Sequence, residues 1–202
     1  MQLAFYFDQS RCSGCNCCVV ACKDFNQIAP GTAHWRRHTA EEHGIFPELK
    51  IFNLVMSCNH CAEPACMSAC PAGAIYKMPE NGIVVVKREE CQEFKTCVAA
   101  CPFGGPQFGD DQQEPSPNKE WVTKHPMQKC NFCITRWQDG KKPICVEACP
   151  QRALDAGPMD QLMNKYPGAQ KTVAGFPKSH ISRVGFPLSK DTVPSVLFKP
   201  KA

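Results

Sequence analysis

The chain has 202 residues, a formal net charge of +4 at pH 7 and 16 cysteines, which is about 8% of its length. So small a charge does not indicate a nucleic-acid or lipid surface, and no run of about 18 apolar residues predicts a transmembrane helix. The mean hydropathy is −0.33. We therefore expect groups bound to sulfur, rather than an ordinary apolar core, to supply much of the stability.

The predicted elements are short and lead into or out of cysteine-rich loops. Predicted strands cover residues 3–7, 51–55, 74–77 and 83–86. The last two are expected to form a hairpin, because the turn-forming pair Asn81-Gly82 lies between them. Predicted helices cover 65–69, 98–100 and 157–166, the last with a proline near its first turn.

Two further segments have the composition of irregular structure. Residues 110–118 (DDQQEPSPN) are polar and contain two prolines, which predicts an insertion loop. From Gly175 to Ala202, four prolines interrupt a stretch without helical periodicity. This pattern favours an extended arm that lies on a partner protein.

Fifteen of the cysteines fall into four blocks with related spacing. In block order they are Cys12, Cys15, Cys18 and Cys22; Cys58, Cys61, Cys66 and Cys70; Cys91, Cys97 and Cys101; and Cys130, Cys133, Cys145 and Cys149. Block one has the spacing Cys-x2-Cys-x2-Cys-x3-Cys, and proline follows the last cysteine of the other three blocks. One unit is thus repeated four times with internal insertions.

Three kinds of cysteine chemistry could explain these blocks. Disulfides need an oxidising compartment and do not require this period. Structural zinc uses Cys-x2-Cys pairs, which fit triplets followed by a distant fourth cysteine poorly. The Cys-x2-Cys-x2-Cys loop, in contrast, places three thiolates around one iron–sulfur cubane, and the cysteine before proline ligates the other cluster of a pair. The repeated spacing therefore indicates iron–sulfur clusters.

Longer motifs around these cysteines resemble a known family. They are RCSGCNCCVVACKD, SCNHCAEPACMSACPAGAIYK, the CP of VAACPFGGPQF, and KCNFC with KKPICVEACPQRALDAGPMD. Over nearly its whole length, the sequence is similar to the iron–sulfur subunit of dimethyl sulfoxide reductase and the related four-cluster subunits of molybdenum and tungsten oxidoreductases.

The resemblance implies an α+β fold of two bacterial-ferredoxin-like modules with insertions and an extended C-terminal arm. Module A would comprise residues 1–50 and 125–160, with blocks one and four. Module B would comprise residues 51–108, with blocks two and three. Residues 109–124 would form an insertion loop, and residues 161–202 an arm for partner docking.

The resemblance also implies that the fourth cysteine of each block crosses to a neighbouring cluster. The three [4Fe-4S] clusters would be held by Cys12, Cys15, Cys18 and Cys149; by Cys22, Cys130, Cys133 and Cys145; and by Cys58, Cys61, Cys66 and Cys101.

The fourth cluster site departs from this pattern. Cys70, Cys91 and Cys97 supply three thiolates, and Phe94 occupies the position of the fourth. A phenyl ring cannot bind iron, so a [3Fe-4S] cluster is predicted, as in related subunits of nitrate-reductase type with an aromatic residue here. The alternative is a [4Fe-4S] cluster whose fourth iron is bound by water or a carboxylate, with Glu93 adjacent.

Residues outside the ligand spacing support weaker hypotheses. Cys17 is predicted to be a free thiol, and His60 to support the cluster loop rather than bind iron. Four cations flank the ligand loops, namely Arg11, Lys23, Lys129 and Arg136. Each could offset the charge of thiolate clusters or could equally lie on a solvated surface.

No motif for a catalytic site or a phosphate or dinucleotide loop is found, so no catalytic residue is predicted. The resemblance implies an electron-transfer subunit that joins a molybdenum- or tungsten-pterin catalytic subunit to a quinone-reactive membrane anchor or a soluble redox carrier. A free polyferredoxin and a cluster-based redox sensor are the alternatives. No signal peptide is recognised, so the expected compartment is the cytoplasm, or the periplasm by export together with the catalytic subunit.

Overall fold

Short strands and helices connect the cysteine-bearing loops. The computed structural model describes residues 1–110 and 120–201, so most of the predicted insertion loop lies outside the described residues. The strands are β1 Leu3–Asp8, β2 Arg37–His43, β3 Lys50–Met56, β4 Ile75–Lys77, β5 Val84–Val86, β6 Leu154–Pro158 and β7 Val196–Lys199. The helices are α1 Cys17–Phe25, α2 Ala65–Ser68, α3 Thr96–Ala100, α4 Ile134–Gln138, α5 Ile144–Glu147 and α6 Met159–Lys165, with a 3-10 turn at Arg88–Glu90. The four predicted strands and three predicted helices are confirmed, with shifts of a few residues at their ends.

A three-stranded sheet joins the two ends of the protein. Its strand order is β6-β1-β7, with β1 antiparallel to β6 and parallel to β7. All six residues of β1 are buried. Alternate side chains point to opposite faces, so Phe5 and Phe7 join the core that contains cysteines, whereas Tyr6 stacks on Tyr166 beyond α6 with ring centroids 3.6 Å apart. The sheet thereby places block one beside the end of block four.

The C-terminal region is partly built into this sheet. Strand β7 is buried except at its last residue, and the segment that precedes it hydrogen-bonds to the loop of block two. Ser195 N–H donates to the Asn59 carbonyl at 2.9 Å, and Ala62 N–H donates to the Val193 carbonyl at 2.9 Å. The docking role of residues 161–202 stays a prediction, but four of these residues complete the protein's own sheet.

Strands β2 and β3 form an antiparallel hairpin that leads into block two. The register pairs Arg37 with Met56 and His43 with Lys50. Strand β3 buries Leu54 and Val55 just before Cys58, whereas Phe46 at the hairpin tip is 88% exposed. Strand β2 was not predicted, because its sequence RHTAEEH is polar and mostly exposed and so shows no apolar alternation.

Cysteines make up much of the buried core, as the composition predicts. One cluster of buried side chains combines β1 and Phe132 with cysteines of blocks one and four and with Cys58. A second combines Phe103 and Met127 with cysteines of blocks two and three. Among the described residues, no helix is long and apolar enough to cross a membrane.

Candidate metal centres

The first cysteine group lies between the loop after β1 and the end of α5. A cavity there is lined by Cys12, Cys15, Cys18 and Cys149. Gly14 shapes the loop: its φ is +72°, and a Cβ on it would lie 2.9 Å from Asn53 Oδ1. Asn53 Nδ2 in turn donates to the Cys12 carbonyl at 2.9 Å, so β3 fixes the loop that carries the cysteines.

The second group is buried behind the first. It contains Cys22, one turn further along α1 than Cys18, together with Cys130, Cys133 and Cys145. Burial raises the pKa of the Cys22 thiol well above its usual value, and the charges of the other three cysteines raise it further. Such charge effects act between neighbouring thiols, and a shared cluster of these four cysteines stays a prediction.

The third group surrounds a cavity between blocks two and three. Its cysteines are Cys58, Cys61, Cys66 and Cys101, and all four are buried. Cys66 lies on α2, and Cys101 follows α3 directly. Phe103 and Thr192 also line the cavity, so the segment before β7 covers this site.

The fourth group surrounds a cavity with three cysteines and Phe94. The cysteines are Cys70, Cys91 and Cys97. Phe94 is 54% exposed, so this cavity lies near the protein surface. Glu93 also lines it, but the Glu93 Oε1 atom accepts the His125 N–H at 3.0 Å. That hydrogen bond uses one of the two oxygens of the carboxylate considered as an alternative iron ligand.

The loop that carries Phe94 shares one backbone feature with the other three cysteine loops. In each of the other three loops, the residue just before the second cysteine has a positive φ: Gly14 (72°), His60 (43°) and Phe132 (63°). Glu93, just before Phe94, has a φ of 54°. Non-glycine residues adopt this conformation rarely. The same backbone feature thus recurs in all four loops, and Phe94 follows it directly, as Cys15, Cys61 and Cys133 do.

Four pairs of cysteines at i and i+4 link neighbouring groups. They are Cys18 with Cys22, Cys145 with Cys149, Cys66 with Cys70, and Cys97 with Cys101. The first cysteine of each pair lies in a helix, and the second lies in the same helix or one or two residues beyond its end. We call groups two and three the inner groups and groups one and four the outer groups. In every pair, one cysteine belongs to an inner group and the other to an outer group. The crossed ligation of two clusters by each pair stays a prediction.

The donor chemistry of these sites fits iron–sulfur clusters. Every group offers thiols around a common space, and one thiol in each accepts a backbone N–H. These bonds are Ala153 to Cys149 (3.3 Å), Phe132 to Cys130 (3.5 Å), Gly105 to Cys101 (3.4 Å) and Met127 to Cys91 (3.3 Å). Such bonds favour the thiolate that binds iron. Within the described part of the protein, no three His, Cys, Asp or Glu side chains are arranged to hold a single metal ion.

Two polar residues lie between the second and third groups. The Lys129 ammonium lies 3.5 Å from Cys58 Sγ and donates to the carbonyls of Cys130 (3.1 Å) and Val84. His60 accepts the Val84 N–H on Nδ1 at 3.1 Å and is 1% exposed. Burial raises the pKa of the Cys58 thiol, but His60 and Lys129 together lower it to about 5.

Arg36 occupies the corresponding place between the first and second groups. It donates to Ser57 Oγ at 3.1 Å, and its guanidinium carbon lies 4.8 Å from the centroid of the Phe5 ring. Burial lowers the pKa of Arg36, but the thiolates of Cys145, Cys18 and their neighbours raise it overall. The sequence drew attention to Lys129 but not to Arg36, because Arg36 lies far from any cysteine in the sequence.

The remaining sequence candidates are at the surface. Arg11 is exposed, Lys23 is partly buried, and Arg136 forms an ion pair with Glu147. Cys17 is exposed at the start of α1 and is not among the residues that line the first cavity. Its predicted state as a free thiol stays a prediction.

Comparisons with known proteins agree with this chemistry. A family model described as a 4Fe-4S dicluster domain matches residues 49–159. The sequence is 38% identical to a chain of the anaerobic dimethyl sulfoxide reductase of Escherichia coli, with 100% of this sequence and 90% of that protein covered. It is 31% identical to the arsenate respiratory reductase iron-sulfur subunit ArrB of a Shewanella species (82% and 85% covered), and 36% identical to a subunit of the sulfite dehydrogenase of Allochromatium vinosum (75% and 67% covered).

The site and these similarities define an iron–sulfur protein with a ferredoxin-like 4Fe-4S domain. The protein belongs to the family of iron–sulfur subunits of dimethyl sulfoxide reductase-type molybdoenzymes. It is a non-catalytic, electron-transfer subunit of an oxidoreductase complex.

Proposed function

We propose that the protein relays single electrons along four cluster sites in one line, between a molybdenum- or tungsten-pterin catalytic subunit and a second redox partner. The observation that carries this proposal is the linkage of the four cysteine groups. Helix α1 joins groups one and two, Lys129 and His60 lie between groups two and three, and α2 joins groups three and four. Shared elements of this kind favour a fixed order from group one to group four.

The ligands follow from the four groups. Cys12, Cys15, Cys18 and Cys149 hold one [4Fe-4S] cluster, the group of Cys22 holds the second, and the group of Cys58 holds the third. Cys70, Cys91 and Cys97 hold a [3Fe-4S] cluster. The place of Phe94 in its loop, directly after a residue of positive φ, supports this last assignment. Cysteine-ligated clusters, when bound, take up and release one electron at a time.

The four cysteine groups differ in how far their surroundings are exposed to solvent. All cysteines of groups two and three are buried, whereas Cys15 of group one is exposed and Phe94 beside group four is 54% exposed. Electrons would therefore enter and leave at groups one and four. The buried side chains around the inner groups would exclude water, so that electrons pass between neighbouring clusters.

The four cluster sites would be divided between two ferredoxin-like modules. Module A, with blocks one and four, would hold groups one and two, and module B, with blocks two and three, would hold groups three and four. The two clusters of buried side chains support the division, because each contains cysteines from one pair of groups. Cys58 packs in the first cluster although it belongs to group three, so the modules would meet at this residue.

The large catalytic partner is inferred from the relatives, whose names identify them as chains or subunits of reductases and of a sulfite dehydrogenase. The test is to co-express the protein with the pterin-containing subunit of its own organism and to measure co-elution and iron content anaerobically. A constant 1:1 ratio with electron transfer from the purified complex to a dye supports the proposal. A protein that elutes alone with full iron content would instead be a free carrier.

A further inference from the structure

Two cationic side chains are buried among the cysteine groups without a carboxylate partner. Lys129 is 2% exposed and Arg36 is 3% exposed. Within residues 1–110 and 120–201, neither forms an ion pair with Asp or Glu. A buried charge is costly unless opposite charge lies nearby. The negative charge available to both residues is that of the cysteine thiolates.

Lys129 faces both inner groups. Its ammonium is 3.5 Å from Cys58 Sγ, which belongs to group three, and 3.1 Å from the carbonyl of Cys130, which belongs to group two. The Val84 carbonyl accepts a third hydrogen bond, and the N–H of the same residue binds His60. These contacts fix the charge at the junction between groups two and three.

Arg36 faces the neighbouring junction. Its guanidinium donates to Ser57 Oγ and lies against the ring of Phe5, which packs in the same buried cluster as Cys18 of group one and Cys145 of group two. The next residue, Arg37, turns instead to the carbonyls of Phe103 and Gly104 and is only partly buried. The fold thus places one buried cation at each of the two junctions that involve group two.

We propose that Lys129 and Arg36 set the reduction potentials of the inner clusters, by holding fixed positive charges at the two junctions. An electron added to a buried site is poorly screened by water, so a cation a few ångströms away strongly stabilises the reduced state. Without these charges, groups two and three would resist reduction and would interrupt the line between the exposed ends. The inference rests on the cluster relay proposed above.

The experiment is a redox titration of the purified complex followed by low-temperature electron paramagnetic resonance. Lys129→Met removes one charge and keeps an unbranched apolar side chain. Lys77→Met is the matched control, because the Lys77 ammonium binds the Cys61 carbonyl of group three at 2.8 Å but is only partly buried. Solvent screens such a charge.

The expected result differs between sites. Lys129→Met shifts the reduction equilibria of groups two and three at least tenfold toward the oxidised state, which is about 59 mV for one electron. Arg36→Met shifts groups one and two in the same direction. Lys77→Met shifts group three by less than tenfold, and group four, which contacts neither buried cation, serves as the internal reference.

Charge-conserving variants separate this role from simple packing. Lys129→Arg should keep the wild-type potentials, and Lys129→Gln, which keeps an N–H donor, should shift them as Lys129→Met does. Unshifted potentials in both neutral variants with full iron content would overturn the proposal, as would equal shifts in Lys129→Arg and Lys129→Met. Loss of clusters in every neutral variant at both positions would also overturn it, in favour of a structural role. A wild-type protein without reducible cubane signals would instead overturn the relay itself.

Discussion

The two inner cysteine groups and the two outer ones offer the same kind of donor in different surroundings. All eight inner cysteines are buried, whereas Cys15 is exposed and Cys12 and Cys70 are partly exposed. Exposed apolar side chains lie beside the outer groups, with Val20 at 66% and Phe94 at 54% exposure. On the relay proposed above, the buried copies of the repeated loop would insulate the inner clusters, and the more exposed copies would offer contact to partners.

The crossed ligands connect these two environments, and removing one should have the largest effect. Cys22 lies on α1 near group one along the sequence, but we propose that it binds the same cluster as Cys130, Cys133 and Cys145, whose charges raise the pKa of its thiol. We expect Cys22→Ser to lose or convert the group-two cluster and to lower the thermal midpoint markedly, because a buried ligand and its metal are lost together. Cluster-resolved spectra should show group one retained. Loss confined to group one would refute the crossed arrangement.

The apolar packing of the inner region should matter more than that of the periphery. Phe132 is fully buried, and its ring centroid lies 4.6 Å from that of Phe5. Phe132→Ala should cost about 3–5 kcal/mol of stability, as for other buried phenylalanines. Phe46→Ala, at the exposed hairpin tip, is the matched control and should change stability by no more than about 0.5 kcal/mol. Equal thermal midpoints of the two variants would contradict the difference in packing.

Group four can be made to resemble the other groups by one substitution. Phe94→Cys restores a thiol at the position that Cys15, Cys61 and Cys133 occupy in the other loops. We expect a [4Fe-4S] cluster and loss of the paramagnetic signal of an oxidised three-iron cluster. Phe94→Leu, which cannot bind iron, should keep that signal. An unchanged signal in Phe94→Cys would show that the thiol does not reach the cluster.

The smallest effect is expected at the surface of group one. Cys15 and Cys17 are both exposed, but only Cys15 lines the cavity. Cys17→Ser should leave the iron content unchanged, whereas Cys15→Ser should reduce the signal of one cluster. Iron analysis of the two variants beside the wild type checks this. A loss of iron in Cys17→Ser would make Cys17 a ligand.

Cysteine spacing predicted much of the site, because the cysteines of one loop lie close together in the sequence. The four cysteine blocks and the place of Phe94 follow from Cys-x2-Cys and Cys-x3-Cys intervals. The pairing of block one with four and of block two with three is what the family resemblance implies. No sequence pattern, in contrast, predicted which charged side chains are buried. Arg36 is buried and Arg37 only partly, although they are adjacent. Arg36 lies in a bend, whereas Arg37 begins β2.

The sequence also did not predict how these strands pair. Strand β7 follows Pro194 and spans four residues, and it depends on a parallel partner nearly 200 residues away, β1. Strand β2 has polar residues that face solvent, so its pairing with β3 depends on backbone hydrogen bonds rather than on an apolar pattern. Only the folded arrangement shows that the C-terminal segment covers group three.

A single anaerobic redox titration, followed by low-temperature electron paramagnetic resonance, tests the central claim most directly. After mild oxidation, the account predicts about one spin per protein molecule from a three-iron cluster at group four, because oxidised four-iron clusters are silent. Full reduction should then give the signals of three further one-electron centres. A protein silent after oxidation, or one with fewer than three reducible cubane centres at full iron content, would contradict the four-cluster line.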